Sequence, residues 1–378
     1  MSKHICRFCN SGKISSRLLF ENFPLAPQST KAPRFESFNF LIGICDECFL
    51  IQQLSEVPSE ILYKEFKNDV VGEKLNNQKL SFCKYISHYL KKNMTVLEMG
   101  AGNGFVVNKL AEFNKSIKFI ANDYNLNIKN ESSNIVMLEG DIHSYEFNDI
   151  DMFFSSHVFE HIADPKYHLE KIKRILKIGG LYIIAIPLFQ SWIKKLNLNS
   201  FTAEHLIYPF EDDLIAFFNN MGFEKVSSEA YLDHSLYICF KKLDSSPKPI
   251  LAKSKSSYLD NFSKNLDDLS NLLLNISNKH KKIVLWGANS SSQLLLNIMN
   301  KFDNLECSFA VVDNSKLKVD GYLFGTDIKI DQPDIIASLS QKDAVLIMVG
   351  TFDDEIKRQC ALINPNVKIY DKSFICSD

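Results

Sequence analysis

No stretch of this 378-residue sequence approaches the run of about 18 uninterrupted apolar residues that reads as a membrane span. Nor do the first residues, Met1 to Cys9, hold the apolar core of a secretory signal. An excess of one charge is missing too. Lys and Arg number 43 against 45 Asp and Glu, interspersed rather than blocked, so no basic footprint for a polyanion exists. These absences exclude nucleic acid and membrane as expected partners and predict a cytoplasmic protein, in a compartment where reducing conditions disfavour disulfides. What is present is globular. The sequence is 46% hydrophobic and carries 29 Phe and 13 Tyr, enough for real cores and against disorder. At about 150 residues per domain, the length predicts two or three domains.

Four of the nine cysteines fall as Cys6-x-x-Cys9 and Cys45-x-x-Cys48, whereas Cys83, Cys239, Cys307, Cys360 and Cys376 are scattered. A C-x-x-C turn puts two thiolates on one side of a tight loop, and two such turns close a tetrahedral site that suits zinc. Four thiolates leave no open position, so the expected role is structural. The bland alternative is four unrelated buried thiols, and His4 is expected to be a solvated neighbour rather than a ligand. The stretch 10–44 between the pairs must carry its own loop or hairpin.

A helical pattern over residues 60–90 precedes a strand at 95–99, which runs into Glu98-Met99-Gly100-Ala101-Gly102-Asn103-Gly104 and then a helix over 106–113. Such a turn lets the backbone approach a ligand at the carboxyl edge of a first strand, where open α/β sheets bind nucleotides. The glycines alone fit several nucleotide sites. Glu98 discriminates: a carboxylate there opposes an anionic pyrophosphate and suits a cationic ligand such as the sulfonium and ammonium of S-adenosylmethionine. A second strand, 117–121, ends in Asn122-Asp123 at the distance of a ribose-binding acid. After a third strand, 135–138, Asp141 either accepts from an adenine amino group or caps a local turn. The strand 151–156 leads into His157-Val158-Phe159-Glu160-His161, with His157 a candidate to line the reaction pocket and His161 a packed or capping residue. A helix over 167–176, a turn at 177–180 and a strand over 181–186, ended by Pro187, follow.

Residues 241–257 are rich in Ser, Lys and Pro and read as a domain connection. Beyond them a helix over 258–280, a strand over 282–286 entering Gly287-Ala288-Asn289, a helix over 291–302 and strands over 308–312, 344–349 and 367–370 predict a small parallel sheet. Its first turn has a single glycine and lacks the G-x-G-x-x-G pattern of a redox cofactor site.

From 95 to about 240 this ordered set resembles the class I S-adenosylmethionine-dependent methyltransferases. That likeness implies that Glu98, Gly100, Gly102, Asp123 and Asp141 contact the cofactor. Together with the paired cysteines, the internal Pro24-Leu25-Ala26 and the rear Gly287-Ala288 and Gly321-Tyr322-Leu323-Phe324-Gly325-Thr326, nearly the whole chain resembles the zinc-containing nucleotide-sugar C-methyltransferases. The implied architecture is α/β: a class I methyltransferase Rossmann-like core, 59–243, between an N-terminal zinc-binding module, 1–58, and a C-terminal Rossmann-like α/β domain, 258–378, that helps hold a keto-sugar nucleotide. The resemblance also implies that Glu204-His205 supplies the base, with His205 taking a proton from the carbon beside a ketone and the enolate attacking the methyl group. Thr202 and Ala203 stand where that family usually has a tyrosine and a histidine, and Phe324 where a proline is common. Tyr208 is the candidate to replace the lost phenol. Transfer to oxygen or nitrogen of a sugar or small metabolite is the alternative on the same scaffold, and a non-enzymatic zinc-containing scaffold that senses S-adenosylmethionine is a third reading.

Overall fold

The computed structural model describes residues 4–24, 29–55, 57, 73–125, 132–245, 247–302, 305–347 and 353–371. Leu25, Ala26, Cys376 and the first part of the expected 60–90 helix therefore lie outside the described residues.

The front of the chain forms β1 (Ile14–Pro24), β2 (Ser29–Thr30), β3 (Ser37–Cys45) and β4 (Ile51–Gln53), with an antiparallel sheet in the order β1-β3-β4. This is the hairpin that the long spacing between cysteine pairs required. Both cysteine turns close alike: the Asn10 amide donates to the Cys6 carbonyl at 2.9 Å and the Phe49 amide to the Cys45 carbonyl at 3.0 Å, with Asn10 and Phe49 both left-handed.

Next come α1 (Glu73–Ser87), β5 (Thr95–Met99), α2 (Phe105–Phe113), β6 (Lys118–Asp123), β7 (Ile135–Glu139), β8 (Ile150–Ser156), α3 (Pro165–Ile175), β9 (Leu176–Pro187), α4 (Phe189–Lys194), α5 (Glu211–Asn220), β10 (Phe223–Tyr231) and β11 (Ser235–Lys242). They build a seven-stranded sheet in the order β10-β11-β9-β8-β5-β6-β7. The strands from β9 to β7 are parallel and β10 and β11 form an antiparallel hairpin on one edge. Runs such as Met152, Phe153 and Phe154 are buried on both faces, as a helix-covered parallel sheet demands. The start of α3 is fixed locally: Asp164 accepts from the Tyr167 amide at 2.9 Å and Pro165 occupies the first turn.

The rear unit contains α6 (Ser256–Ser277), β12 (Lys282–Trp286), α7 (Ser290–Met299), β13 (Ser308–Val312), β14 (Tyr322–Leu323), β15 (Ile330–Asp331), β16 (Asp343–Ile347), α8 (Asp353–Ile363) and β17 (Lys368–Tyr370). Its five-stranded sheet, β15-β13-β12-β16-β17, is parallel throughout.

The connection expected over 241–257 is shorter than its composition implies, and most of its described residues between 244 and 254 are exposed. Lys241 and Lys242 complete β11, and Lys255, only 2% exposed, pairs with Asp213 at 2.8 Å and Asp212 at 3.1 Å. A buried ammonium needs such partners, so this lysine locks the entrance of α6 onto α5 rather than hydrating a linker. One apolar cluster runs through all three units, from Phe20 and Phe40 in front through Phe201, Tyr208 and Phe210 to Phe262 behind. β14 pairs with β2, so the rear and front units also share backbone hydrogen bonds.

Candidate active site

The glycine turn after β5 adopts the geometry its composition predicts. Gly100, Gly102 and Gly104 have φ of 74°, 56° and 76°, left-handed values that side chains resist. A Cβ on Gly100 would lie 2.3 Å from Val158 Cγ2, so this glycine is what lets the segment after β8 close over the turn. On Gly102 a Cβ would meet nothing within 4 Å, so that face of the turn is open.

Glu98, next to the end of β5, is 2% exposed, and its Oε2 accepts no hydrogen bond. Burial pushes its carboxyl up to about 8, opposed by the Lys79 ammonium on α1. A buried acid with an unused acceptor beside an open glycine turn fits a cationic ligand group. Asp123 braces the same turn: its Oδ2 accepts from the Gly102 amide at 2.8 Å and its Oδ1 from the Asn125 amide at 3.0 Å. Each oxygen keeps a second lone pair for a donor such as a ribose hydroxyl. Asp141 is exposed and accepts from the His143 amide at 3.0 Å, so the turn-capping role is the one its geometry displays.

His157 follows β8 in a left-handed conformation, with φ of 54°. Its Nε2 shares a hydrogen bond with Ser235 Oγ at 3.0 Å, and its Nδ1 lies 3.4 Å from Glu160 Oε1. His161 is not simply packed. Its Nδ1 donates to the Glu204 carbonyl at 3.0 Å, and its ring stands 5.0 Å from that of His205. The carboxylate grouped with His161 and His205 is Glu160, not Glu204. Sequence reasoning misses Glu160: three after His157 and next to His161, it has ordinary spacing, and its burial is what singles it out.

Tyr208 needs correction. Its ring is fully buried against Phe189 and Phe201, and its hydroxyl donates to the His205 carbonyl at 2.9 Å, with the Thr202 carbonyl at 3.3 Å. It braces the loop from inside and supplies no phenol to a substrate. Burial, with the His161 ring alongside, lowers the His205 imidazole to about 3, so this half-buried ring is neutral near pH 7.

Three units meet on the loop 199–208. In front, the Tyr208 amide donates to the Ile51 carbonyl at 2.9 Å and the Gln53 amide to the Leu206 carbonyl at 3.0 Å. In the core, the Leu206 amide donates to the Glu160 carbonyl at 2.9 Å. Behind, Ser291 Oγ bonds Asn199 Oδ1 at 2.9 Å. The rear turn is self-contained: Asn289 accepts from the Ser291 and Ser292 amides, and Asp313 Oδ2 accepts from the Ala288 amide at 2.8 Å.

In the front unit, the sulfurs of Cys6, Cys9, Cys45 and Cys48 lie within 4.8 Å of one another, with Cys6 to Cys48 at 3.4 Å and Cys9 to Cys45 at 3.5 Å. Sulfurs about 2.3 Å from one tetrahedral ion stand about 3.8 Å apart, so the set fits a metal with little movement.

A family model described as a methyltransferase domain matches residues 90–219, and one described as a C-methyltransferase C-terminal domain matches residues 252–368. The protein is a methyltransferase. The methyltransferase domain holds the glycine turn, Glu98, Asp123, the Glu160 group and His205, whereas the second match covers the rear sheet. Solved structures to which the chain is similar include a SAM dependent methyltransferase from Aquifex aeolicus, at 19% identity over 50% of this chain and 100% of that one with a TM-score of 0.37. A putative S-adenosylmethionine dependent methyltransferase from Listeria monocytogenes is 15% identical over 44% of this chain and 99% of that one, with a TM-score of 0.38. A complex between the Haloferax volcanii Trm112 methyltransferase activator and a putative methyltransferase gives 16% identity over 45% and 95%, with a TM-score of 0.38. No curated protein matches the chain. Among the described residues, no helix of this methyltransferase is long and apolar enough to cross a membrane.

Proposed function

We propose that the protein transfers a methyl group from S-adenosylmethionine to a carbon of a nucleotide-linked keto-sugar, with His205 as the base and a structural zinc held by Cys6, Cys9, Cys45 and Cys48. The observation that carries this reading is the loop 199–208, which all three units hold and which presents a neutral imidazole beside the segment closing over the glycine turn. S-adenosylmethionine supplies an electrophilic methyl. Glu98 receives its ammonium and Asp123 its ribose hydroxyls, while the open face at Gly102 admits the ligand close to the backbone. The rear unit helps hold the nucleotide, and the Ser291 to Asn199 bond fixes it to the catalytic loop. His205 takes the proton from the carbon beside the ketone, and the enolate carbon then attacks in line. A positioned base contributes about 10²–10⁴-fold, least when its pKa lies as far below the working pH as this one does.

The decisive experiment is the position of the new methyl group, read by NMR on the product from a panel of keto-sugar nucleotides. A carbon-linked methyl is expected, accompanied by exchange of the acidic carbon-bound proton with deuterated water when S-adenosylhomocysteine replaces the donor. A methyl on oxygen or nitrogen, without exchange, sinks the reading. That second outcome is favoured by one observation: Thr202 carries no phenol and the Tyr208 hydroxyl is spent on backbone carbonyls, so no tyrosine of this loop stabilises an enolate.

The Glu98 assignment has its own pH signature. With no ligand bound, its carboxyl is pushed up to about 8 even against the Lys79 ammonium, from an ordinary 4.5, so it holds a proton at pH 7. A bound ammonium favours the ionised form. Binding of S-adenosylmethionine at pH 7 should therefore release this proton, and its affinity should gain with pH up to about 8 relative to Glu98→Gln. The ligand's own amino group titrates in both proteins, so the difference isolates Glu98. The variant should also bind about 1.5–3 kcal/mol more weakly, the range for a hydrogen bond to a charged group. Calorimetry in buffers of different ionisation enthalpy measures both, and parallel pH profiles in the two proteins would discard the assignment.

A further inference from the structure

Glu160 sits in the short helical turn Phe159–His161 that follows β8, at 0% exposure. Neither carboxylate oxygen accepts a hydrogen bond. The nearest ring nitrogens, His157 Nδ1 and His161 Nε2, stand 3.4 and 4.0 Å from Oε1. A carboxylate stripped of water and given no hydrogen bond is costly unless a cation accompanies it. At least one of the imidazoles around it is arranged to give a lone pair rather than a proton. His161 Nδ1 faces the Glu204 carbonyl, which can only accept, so Nδ1 carries the hydrogen and a neutral ring presents the lone pair of Nε2 toward Glu160. His205 Nδ1 is buried without a hydrogen-bond partner. One ring nitrogen each from His161 and His205 and one oxygen of Glu160 lie within 4.8 Å of one another.

We propose that Glu160, His161 and His205 bind a divalent transition-metal ion, at a site separate from the four cysteines. Two imidazoles and one carboxylate are a ligand set for zinc, iron, cobalt or nickel, and not for magnesium, which prefers oxygen. Ligand atoms about 2.0–2.2 Å from an ion stand about 3–4 Å apart, so the group has to contract by no more than about 1–2 Å. The contact from His161 Nδ1 to the Glu204 carbonyl is the outer hydrogen bond that orients a ligating imidazole and fixes its tautomer. Three ligands leave coordination positions open, unlike the closed cysteine set.

The binding claim stands whatever group the protein methylates. Its consequence for turnover rests on the His205 reading above: one imidazole lone pair cannot hold a metal and accept a proton at the same time. Metal at this site and proton abstraction by His205 therefore exclude each other, and a transition-metal ion bound there acts as a reversible inhibitor.

The test is cobalt uptake by the full chain with its cysteine-bound metal retained, after dialysis against a mild chelator. Parent protein is expected to take up one further equivalent of Co2+ per chain, with weak visible bands and no thiolate charge-transfer absorption. Glu160→Gln and His161→Asn are each expected to bind that equivalent at least tenfold more weakly, while far-ultraviolet dichroism and S-adenosylhomocysteine binding stay parental and identify them as folded. No further equivalent in the parent overturns the proposal, as does an equivalent that both variants retain or one that shows thiolate absorption. The C-methylation reading fails by a different readout, the atom that carries the product methyl.

Discussion

Replacing any one of Cys6, Cys9, Cys45 or Cys48 by Ser is expected to unfold the front sheet and take catalysis with it. The front sheet has only three strands, and in modules of this size zinc contributes about 10–16 kcal/mol to folding. The effect does not stop at the cysteines. Phe8, between the first pair, stacks on Phe217 of α5 with ring centres 4.0 Å apart, and Arg7 donates to the Ala163 carbonyl at 2.7 Å. Just past the second pair, β4 holds the loop that carries His205. Loss of a metal held there would therefore free one edge of the loop 199–208 as well as the front sheet. Elemental analysis should find zinc in protein purified without chelator and none at the cysteine site in each variant, and thermal melting should show an early transition in the variants. Parent protein without zinc, or a Cys45→Ser variant that melts and turns over like the parent, would end the structural-zinc reading.

His205→Asn should lower exchange of the acidic carbon-bound proton by about 10²–10⁴-fold while leaving S-adenosylhomocysteine binding nearly unchanged. Asparagine keeps a polar side chain in the loop and removes the basic nitrogen. The pH dependence separates a base from a packing residue. Burial depresses the imidazole from 6.5 to about 3, so the charged form is disfavoured in the folded protein. The parent should keep its exchange rate as pH falls through 6.5, where a solvated histidine would be protonated, and lose the His205 contribution only on approach to pH 3. The same shift has a stability counterpart. Between 6.5 and 3 the unfolded chain binds this proton and the folded one does not, so acidification over that window weakens the fold. A variant that exchanges at the parental rate rules His205 out as the base, whereas a parent whose exchange halves at pH 6.5 rules out the lowered imidazole.

The features legible in the sequence were those decided within a few residues. The strand before Gly100, the left-handed glycines, the acids at Glu98 and Asp123 and the paired cysteine turns are local, and the structure places them where their spacing implies. Glu160 was not legible for a physical reason. An acid next to a histidine in a short turn reads as solvated, and its burial depends on segments far along the chain, such as Leu206, whose amide donates to the Glu160 carbonyl. Tyr208 was misread likewise: its distance from the Glu-His pair suits a catalytic phenol, but direction is set by the aromatic cluster of Phe189 and Phe201, which draws the ring inward. Lys255 shows the limit of composition. A Ser-Lys-Pro stretch suggests hydration, yet one lysine in it meets Asp212 and Asp213 on a distant helix and is buried between units.

The pairing of β2 with β14 joins Thr30 to Tyr322 and Ser29 to Leu323, from opposite ends of the chain. During synthesis the front strand is made early and its partner late, so β2 waits without this neighbour until most of the protein exists. Such a contact has to be made across a long chain separation, which slows its formation relative to the local hairpin of β1 and β3. The seam thus closes only after the chain between has been made, and an incomplete polypeptide exposes an unpaired strand edge of the kind that recruits other chains.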